Sequence, residues 1–257
     1  MMQVIGLPAF SDNYIWMIQD ADNPRVVLVD PGEAEPALEA LARHRLELAA
    51  ILVTHHHGDH IGGIAELRTH YEVPVYGPRR ESISQVTQTV AEADEIEIEG
   101  TPMRFHVMDV PGHTRGHVAY LGHGCLFCGD TLFTAGCGRL FEGSPEQMHQ
   151  SLEKIRALDP GTRIYCAHEY TQDNLRFAQV VEPHNIPLRE RVLSTRQYRD
   201  RDEPTVPSLL SLELATNPFL RCQEATVVAA AEAFSGRTLK SGAEVFAVIR
   251  HWKDTLD

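Results

Sequence analysis

Through the first two-thirds of the chain, apolar residues come in short continuous runs; in the last third they recur every three or four positions. Val26-Val27-Leu28-Val29 followed by Asp30-Pro31-Gly32 reads as a buried strand stopped by a turn. Glu35 to Arg45 reads as a helix with Leu38, Leu41 and Ala42 on one face. The unit then repeats: Ala50 to Val53 is a second buried strand, His60 to His70 a helical stretch and Val73 to Gly77 a short strand. Further strands are expected at Glu95 to Ile98, Phe105 to Val110, Val118 to Leu121, Leu126 to Cys128 and Arg163 to Cys166, with a helix from Pro145 to Leu158 before the last. Strands interleaved with helices imply a layered α/β domain. Beyond His168 no convincing strand remains, and Thr171 to Val181, Pro187 to Tyr198, Gln223 to Phe234 and Ser241 to Trp252 favour helix, with a break at Glu182 to Pro187. The expected domains are therefore 1–169 and 170–257.

Composition narrows the functional classes. A chain of 257 residues holds one large domain, or one medium domain with a smaller companion. A formal charge of −13, from 23 basic and 36 acidic residues, argues against a nucleic-acid binder or an anionic-membrane binder. No apolar run is long enough to span a bilayer, and Met1 to Pro8 lacks the basic flank and long apolar core of a secretory leader, so a cytoplasmic protein is expected; it is taken to be a monomer. The 5 cysteines, an odd number, fit reduced thiols better than a disulfide framework. Cys125-x-x-Cys128 has no partner pair and fits a buried strand, whereas Cys137, between two glycines, is expected to be more exposed.

Histidine changes the picture, because imidazole is the commonest protein metal ligand and 14 are present. Thr54-His55-His56-His57-Gly58-Asp59-His60 follows a strand and crowds imidazoles around a carboxylate, an arrangement that is costly without a cation. In extended chain His55 and His57 point the same way, while Asp59 and His60 lie where the chain turns into a helix opened by Ile61-Gly62-Gly63, so the loop offers two pairs of ligands. Other strand ends carry His113 and His117, Asp130, and His168. His56, facing away, and His117, four residues past His113, are assigned to hydrogen-bonded packing rather than ligation.

The signature His55-x-His57-x-Asp59-His60 with His113, Asp130 and His168 resembles the metallo-β-lactamase superfamily. Within it, Ser11-Asp12-Asn13-Tyr14, Gly129-Asp130-Thr131-Leu132-Phe133, Gly136-Cys137-Gly138-Arg139, Asn217-Pro218-Phe219-Leu220-Arg221 and Arg250-x-x-Lys253-Asp254 resemble the hydroxyacylglutathione hydrolase (glyoxalase II) family. The resemblance implies an αββα sandwich of two mixed sheets flanked by helices, with a smaller all-α C-terminal domain. It implies two divalent metal ions, expected to be Zn2+ with Fe or Mn as alternatives: His55, His57 and His113 on one, Asp59, His60 and His168 on the other, and Asp130 bridging. Asp59 and Asp130 are the carboxylates it places in catalysis. Arg139, Tyr170, Arg250 and Lys253 are implied contacts to a small-molecule glutathione thioester. Spacing alone favours a solvated basic flank for Arg250 and Lys253, since Val245, Val248, Ile249 and Trp252 form the apolar face; the resemblance reverses that preference. Leu140-Phe141 stands where some relatives have a tyrosine, removing one phenol contact, and Arg139 replaces a lysine with a different geometry.

The implied reaction is hydrolysis of S-D-lactoylglutathione, and of other S-2-hydroxyacylglutathiones, in methylglyoxal detoxification. Metal coordination brings the pKa of water to roughly 7 and so provides a hydroxide nucleophile, and a thiolate of pKa about 8.5 leaves with little help from an acid. The alternatives retained are a β-lactam, lactone or RNA substrate on the same fold, a mono-iron persulfide oxygenase, and a non-enzymatic binding module, which would require a broken ligand set.

Overall fold

The computed structural model describes residues 2–256. The chain forms two compact units, one comprising the residues up to Asp109 with Arg115–Gly129, the other Val110–Thr114 with the residues from Asp130 onward.

The first unit contains β1 (Met2–Ala9), β2 (Asn13–Asp20), β3 (Arg25–Val29), α1 (Glu35–His44), β4 (Glu47–Leu52), α2 (Gly58–Ile61), α3 (Ile64–His70), β5 (Val75–Pro78), β6 (Gln88–Val90), β7 (Glu95–Glu97), β8 (Arg104–Asp109), β9 (Val118–Gly122) and β10 (Cys125–Gly129). Strands β1 to β6 form one mixed sheet in chain order, antiparallel from β1 to β3 and parallel from β3 to β6. Mid-sheet strands covered on both faces need continuous apolar side chains, and β3 and β4 are buried over nearly their whole lengths. Strands β7 to β10 run as an antiparallel meander in a second sheet.

The helices of this unit differ in detail from expectation. α1 has Pro36 in its first turn, where the missing N–H costs nothing. Its buried stripe is Ala37, Ala40 and Leu41, with Ala42 exposed, so the core-facing side is rotated from the expected one. The helical stretch expected from His60 starts earlier, at Gly58, and divides into α2 and α3 at Gly62 and Gly63. A Cβ on Gly62 would fall 2.6 Å from the Gly32 carbonyl oxygen, and one on Gly63 would fall 2.6 Å from the Ala34 nitrogen, so only glycine admits this approach to the β3–α1 turn. The core of the unit includes Leu28, Leu41, Ile51, Val53, Ile64 and Leu67.

The second unit contains β11 (Leu132–Phe133), β12 (Gly136–Cys137), α4 (Pro145–Arg156), β13 (Arg163–Cys166), α5 (Thr171–Val181), α6 (Ile186–Arg199), β14 (Ser208–Leu209), α7 (Leu210–Thr216), a 3-10 turn (Pro218–Leu220), α8 (Ala225–Ser235) and α9 (Gly242–Asp254). α4 starts in a capping box: Gln147 N–H donates to the Ser144 hydroxyl and Ser144 N–H donates to the Gln147 side chain. The expectation of no strand after His168 is corrected by β14, two residues long, which pairs antiparallel with β13. So short a strand is fixed by its partner rather than by its own pattern. Among the described residues, no helix is long and apolar enough to cross a membrane.

Candidate active site

In the first unit the donor loop begins where β4 ends. Asp30, closing β3 with a left-handed φ of 51°, turns its carboxylate to this loop. One oxygen accepts from Thr54 N–H at 2.7 Å; the other accepts from the Thr54 hydroxyl at 2.7 Å and stands 3.0 Å from His60 Nδ1. A carboxylate only accepts, so His60 carries a proton on Nδ1 and turns Nε2 to the side from which a metal could be held. Thr54 spends its single proton on Asp30, so its oxygen accepts from His55 Nδ1 at 3.0 Å and His55 likewise presents Nε2. His55 Nε2 then faces His57 Nδ1 at 3.0 Å, and His60 Nε2 faces the Asp59 carboxylate at 3.6 Å. Asn13 donates to that carboxylate at 3.0 Å. The extended backbone at His57 sets His55 and His57 on one side, as expected, while Asp59 and His60 ride on α2.

His56 turns the other way, 3.0 Å from Glu81, whose second oxygen accepts from Gly116 N–H at 3.2 Å. His117 is buried and stacks on the His55 ring with centroids 4.6 Å apart. His56 thus bonds away from the other imidazoles of the loop, and His117 packs against His55.

In the second unit, His113 Nδ1 is 2.9 Å from the Arg139 carbonyl, which can only accept; Nε2 is therefore the nitrogen that could hold a metal, 3.4 Å from one oxygen of Asp130. His168 Nε2 is 3.4 Å from the other oxygen. Two imidazole nitrogens, each 3.4 Å from a different oxygen of one carboxylate, make a nitrogen and oxygen donor set of the kind divalent ions accept. The donor sets in both units therefore fit divalent metal ions.

The same unit holds a cavity of about 440 Å³ bordered by His113, Asp130, Arg139, Tyr170, Arg250 and Lys253. All four residues expected to contact substrate thus share one cavity. Arg250 and Lys253 are 2% and 7% exposed, so the solvated-flank alternative does not hold. Arg250 donates from Nη1 to the Cys137 carbonyl at 2.9 Å and from Nη2 to Asp254 at 2.9 Å, and lies 5.2 Å from the Phe219 ring centroid. Tyr170 stacks on the His168 ring, centroids 4.7 Å apart and nearly parallel. Phe141 also lines the cavity, edge-on to His113 at 5.2 Å. Cys137 was expected to be exposed but is 3% exposed; burial pushes its thiol up to about 11, against the lowering effect of Arg250. Sequence reasoning missed Asp30, which sits in a Pro-Gly turn signal, and Glu81, which stands in no motif.

A donor loop closing a mixed sheet, together with the His-Asp-His set of the second unit, defines a metal-dependent hydrolase of the metallo-β-lactamase type. The family model described as Metallo-beta-lactamase superfamily matches residues 10–168, and that described as Hydroxyacylglutathione hydrolase C-terminus matches residues 169–256. A hydroxyacylglutathione hydrolase from Alkalilimnicola ehrlichii is 52% identical over 254 residues, covering 99% of each chain. The BLEG-1 B3 metallo-β-lactamase matches with a TM-score of 0.64 and 23% identity, over 86% of this chain and 99% of its own, a likeness of fold alone. A protein solved in a di-iron-bound form matches with a TM-score of 0.59 and 25% identity, over 85% of this chain and 100% of its own. The chain belongs to the hydroxyacylglutathione hydrolase family, thiolester hydrolases with two mixed sheets, flanking helices and a C-terminal helical region.

Proposed function

We propose that the protein cleaves S-D-lactoylglutathione, and other S-2-hydroxyacylglutathiones, to a 2-hydroxy acid and glutathione. This is the hydrolytic step of methylglyoxal detoxification, and it would take place in the cytoplasm. In this reading His55, His57 and His113 would hold one divalent ion, Asp59, His60 and His168 would hold a second, and Asp130 would serve both. Zn2+ is the ion proposed here, and the same nitrogen and oxygen donors accept Fe or Mn. When bound, such ions supply Lewis acidity and bring a coordinated water to a pKa of about 7.

The chain's own residues supply orientation. Asp30 and Thr54 fix the tautomers of His60 and His55, and the Arg139 carbonyl fixes that of His113. Residues 1–169 contribute these donors. Residues 170–257 contribute Tyr170, Arg250 and Lys253, which with Arg139 hold the unreactive end of the substrate: the cations take its carboxylates and the Tyr170 phenol bonds its peptide backbone. A thiolate leaving group of pKa about 8.5 departs without a dedicated acid.

The observation that carries this reading is the burial of Arg250 and Lys253 in the cavity that His113 and Asp130 also border. Arg250 is steadied there by Asp254 and the Cys137 carbonyl, and a cation held in a cavity wall with little water around it attracts an incoming carboxylate more strongly than one on the open surface. Five buried, reduced cysteines support a reducing compartment. The test is hydrolysis of S-D-lactoylglutathione beside nitrocefin, with metal content measured on the same sample. Rapid thioester turnover with about two ions per chain is expected. Nitrocefin turnover without thioester turnover would overturn the assignment in favour of a β-lactamase.

A further inference from the structure

The β11–β12 hairpin turns on Thr134 and Ala135, with Phe133 paired to Gly136. Ala135 has a φ of 57°, a left-handed conformation that residues with a Cβ rarely adopt, and Asn or Gly at this position would be the local sequence solution. Thr-Ala does not specify this turn. Such conformations persist only where the surroundings over-determine them.

The surroundings here are a set of buried helix side chains. Asn174 of α5 donates to the Thr134 carbonyl at 3.0 Å. Glu213 of α7 accepts from Ala135 N–H at 2.8 Å. Asn217, just past α7, donates to the Phe133 carbonyl at 3.2 Å, to the Gly136 carbonyl at 2.9 Å and to Glu213 at 3.1 Å. A Cβ on Gly136 would overlap the Asn174 amide. Behind this layer Arg191 of α6 pairs with Glu213 and donates to Thr216 at 2.5 Å and Ser208 at 2.9 Å. Glu213 and Asn217 are 0% exposed and Arg191 5%. The backbone groups of the turn are thus held from the helical side by a charged network that takes no part in the chemistry.

The hairpin delivers two pieces of the cavity wall. Phe133 stands edge-on to Tyr170 at 5.4 Å, and the Cys137 carbonyl anchors Arg250. We infer that Arg191, Glu213 and Asn217 are positioning residues: they impose the turn at Thr134–Ala135 and so fix Phe133 and Arg250 where the thiol-carrier end of the substrate binds. The inference rests on the glutathione-thioester reading of the cavity.

The test uses metal-loaded full-length protein and two substrates, S-D-lactoylglutathione and the truncated thioester S-D-lactoyl-N-acetylcysteamine, which has no carboxylates. Asn217→Ala is expected to raise KM for the glutathione thioester about tenfold, with kcat, metal content and turnover of the truncated thioester held within about twofold. Adding Ala135→Gly should restore KM, because glycine adopts the required φ unaided; a purely structural role for Asn217 predicts no such rescue. Arg191→Met with Glu213→Leu replaces the ion pair by apolar bulk without stranding a charge, yet removes the Ala135 acceptor, and should raise KM in the same way. An unchanged KM in either variant, or equal losses on both substrates, would overturn the positioning role. Wild-type protein that turns over both thioesters equally well would instead sink the glutathione reading, so the two failures are distinguishable.

Discussion

Replacing Arg250 and Lys253 together by alanine removes the two cations most deeply placed in the cavity. A charge-assisted hydrogen bond contributes about 1.5–3 kcal/mol. The two positions lie one helical turn apart and share a flank, so their effects are coupled and a combined loss of about 3 kcal/mol is a better figure than the full sum. At about 1.4 kcal/mol per decade, KM for S-D-lactoylglutathione should rise roughly hundredfold. Because the carboxylates lie far from the scissile bond, kcat should change by less than about threefold. Stability also falls, since the Cys137 carbonyl and Asp254 lose a donor and the Phe219 ring loses its cation. A cost of about 2 kcal/mol, or roughly 4–8 °C in Tm, follows. Initial rates on S-D-lactoylglutathione and S-D-lactoyl-N-acetylcysteamine, taken well below the variant's Tm, separate these effects. The truncated substrate should not notice the substitutions. A KM raised less than about threefold, or equal damage to both substrates, would refute the reasoning.

Three further outcomes are expected. Asp130→Ala leaves His113 and His168 facing no carboxylate and should lose bound metal with nearly all activity; full activity with both ions retained would dismiss the bridging role. Asp30→Asn places an amide where three donors converge, so the His60 tautomer is no longer enforced and Zn2+ affinity, measured by chelator competition, should drop about 10–100-fold. Burial raises the thiols of Cys137 and Cys166 to about 11 and about 12, so the folded state favours their protonated forms. That contribution is complete below the unfolded thiol value of about 8.5 and is lost as pH climbs toward about 11–12. Denaturant stability should therefore decline above about pH 9, and native protein at pH 8 should resist an aromatic disulfide reagent; rapid labelling at pH 8 would contradict the burial argument.

What the sequence disclosed follows from how each element is stabilised. β3 and β4 announce themselves because both faces are covered, leaving no position for a polar residue. β1, at the edge of its sheet, mixes exposed and half-buried positions and includes Gly6 and Pro8, so it carries no run to read. β11 and β12 are two residues each, and their turn is imposed by Glu213 and Asn217 from far along the chain, which no local pattern reveals. The donor residues were legible because His and Asp were concentrated at strand ends. Asp30 was not, because an aspartate before Pro-Gly looks like turn chemistry. On α9 the aliphatic spacing picked out Val245, Ile249 and Trp252, yet the buried surface also includes Phe246, Arg250 and Lys253 at i, i+4 and i+7. Charge concealed that second stripe.

If a chain of net charge −13 takes the anionic thioester proposed for it, it must solve the recognition problem locally. Exposed lysines would be poor instruments, since salt screens them and the surrounding acidic surface offsets them. Burying the cations strengthens their pull on a carboxylate but raises the cost of leaving them without one. Arg250 reconciles the two demands through neighbours that stabilise a guanidinium without consuming its charge: the Cys137 carbonyl and the face of Phe219. Asp254, partly exposed, supplies a full counter-charge at 2.9 Å and stands 3.9 Å from Arg139. A carboxylate entering the cavity therefore meets arginines already oriented by a residue of its own chemistry. On the glutathione-thioester reading, specificity for the carrier would then rest on how rigidly the hairpin and α9 hold that arrangement, rather than on the overall charge of the chain.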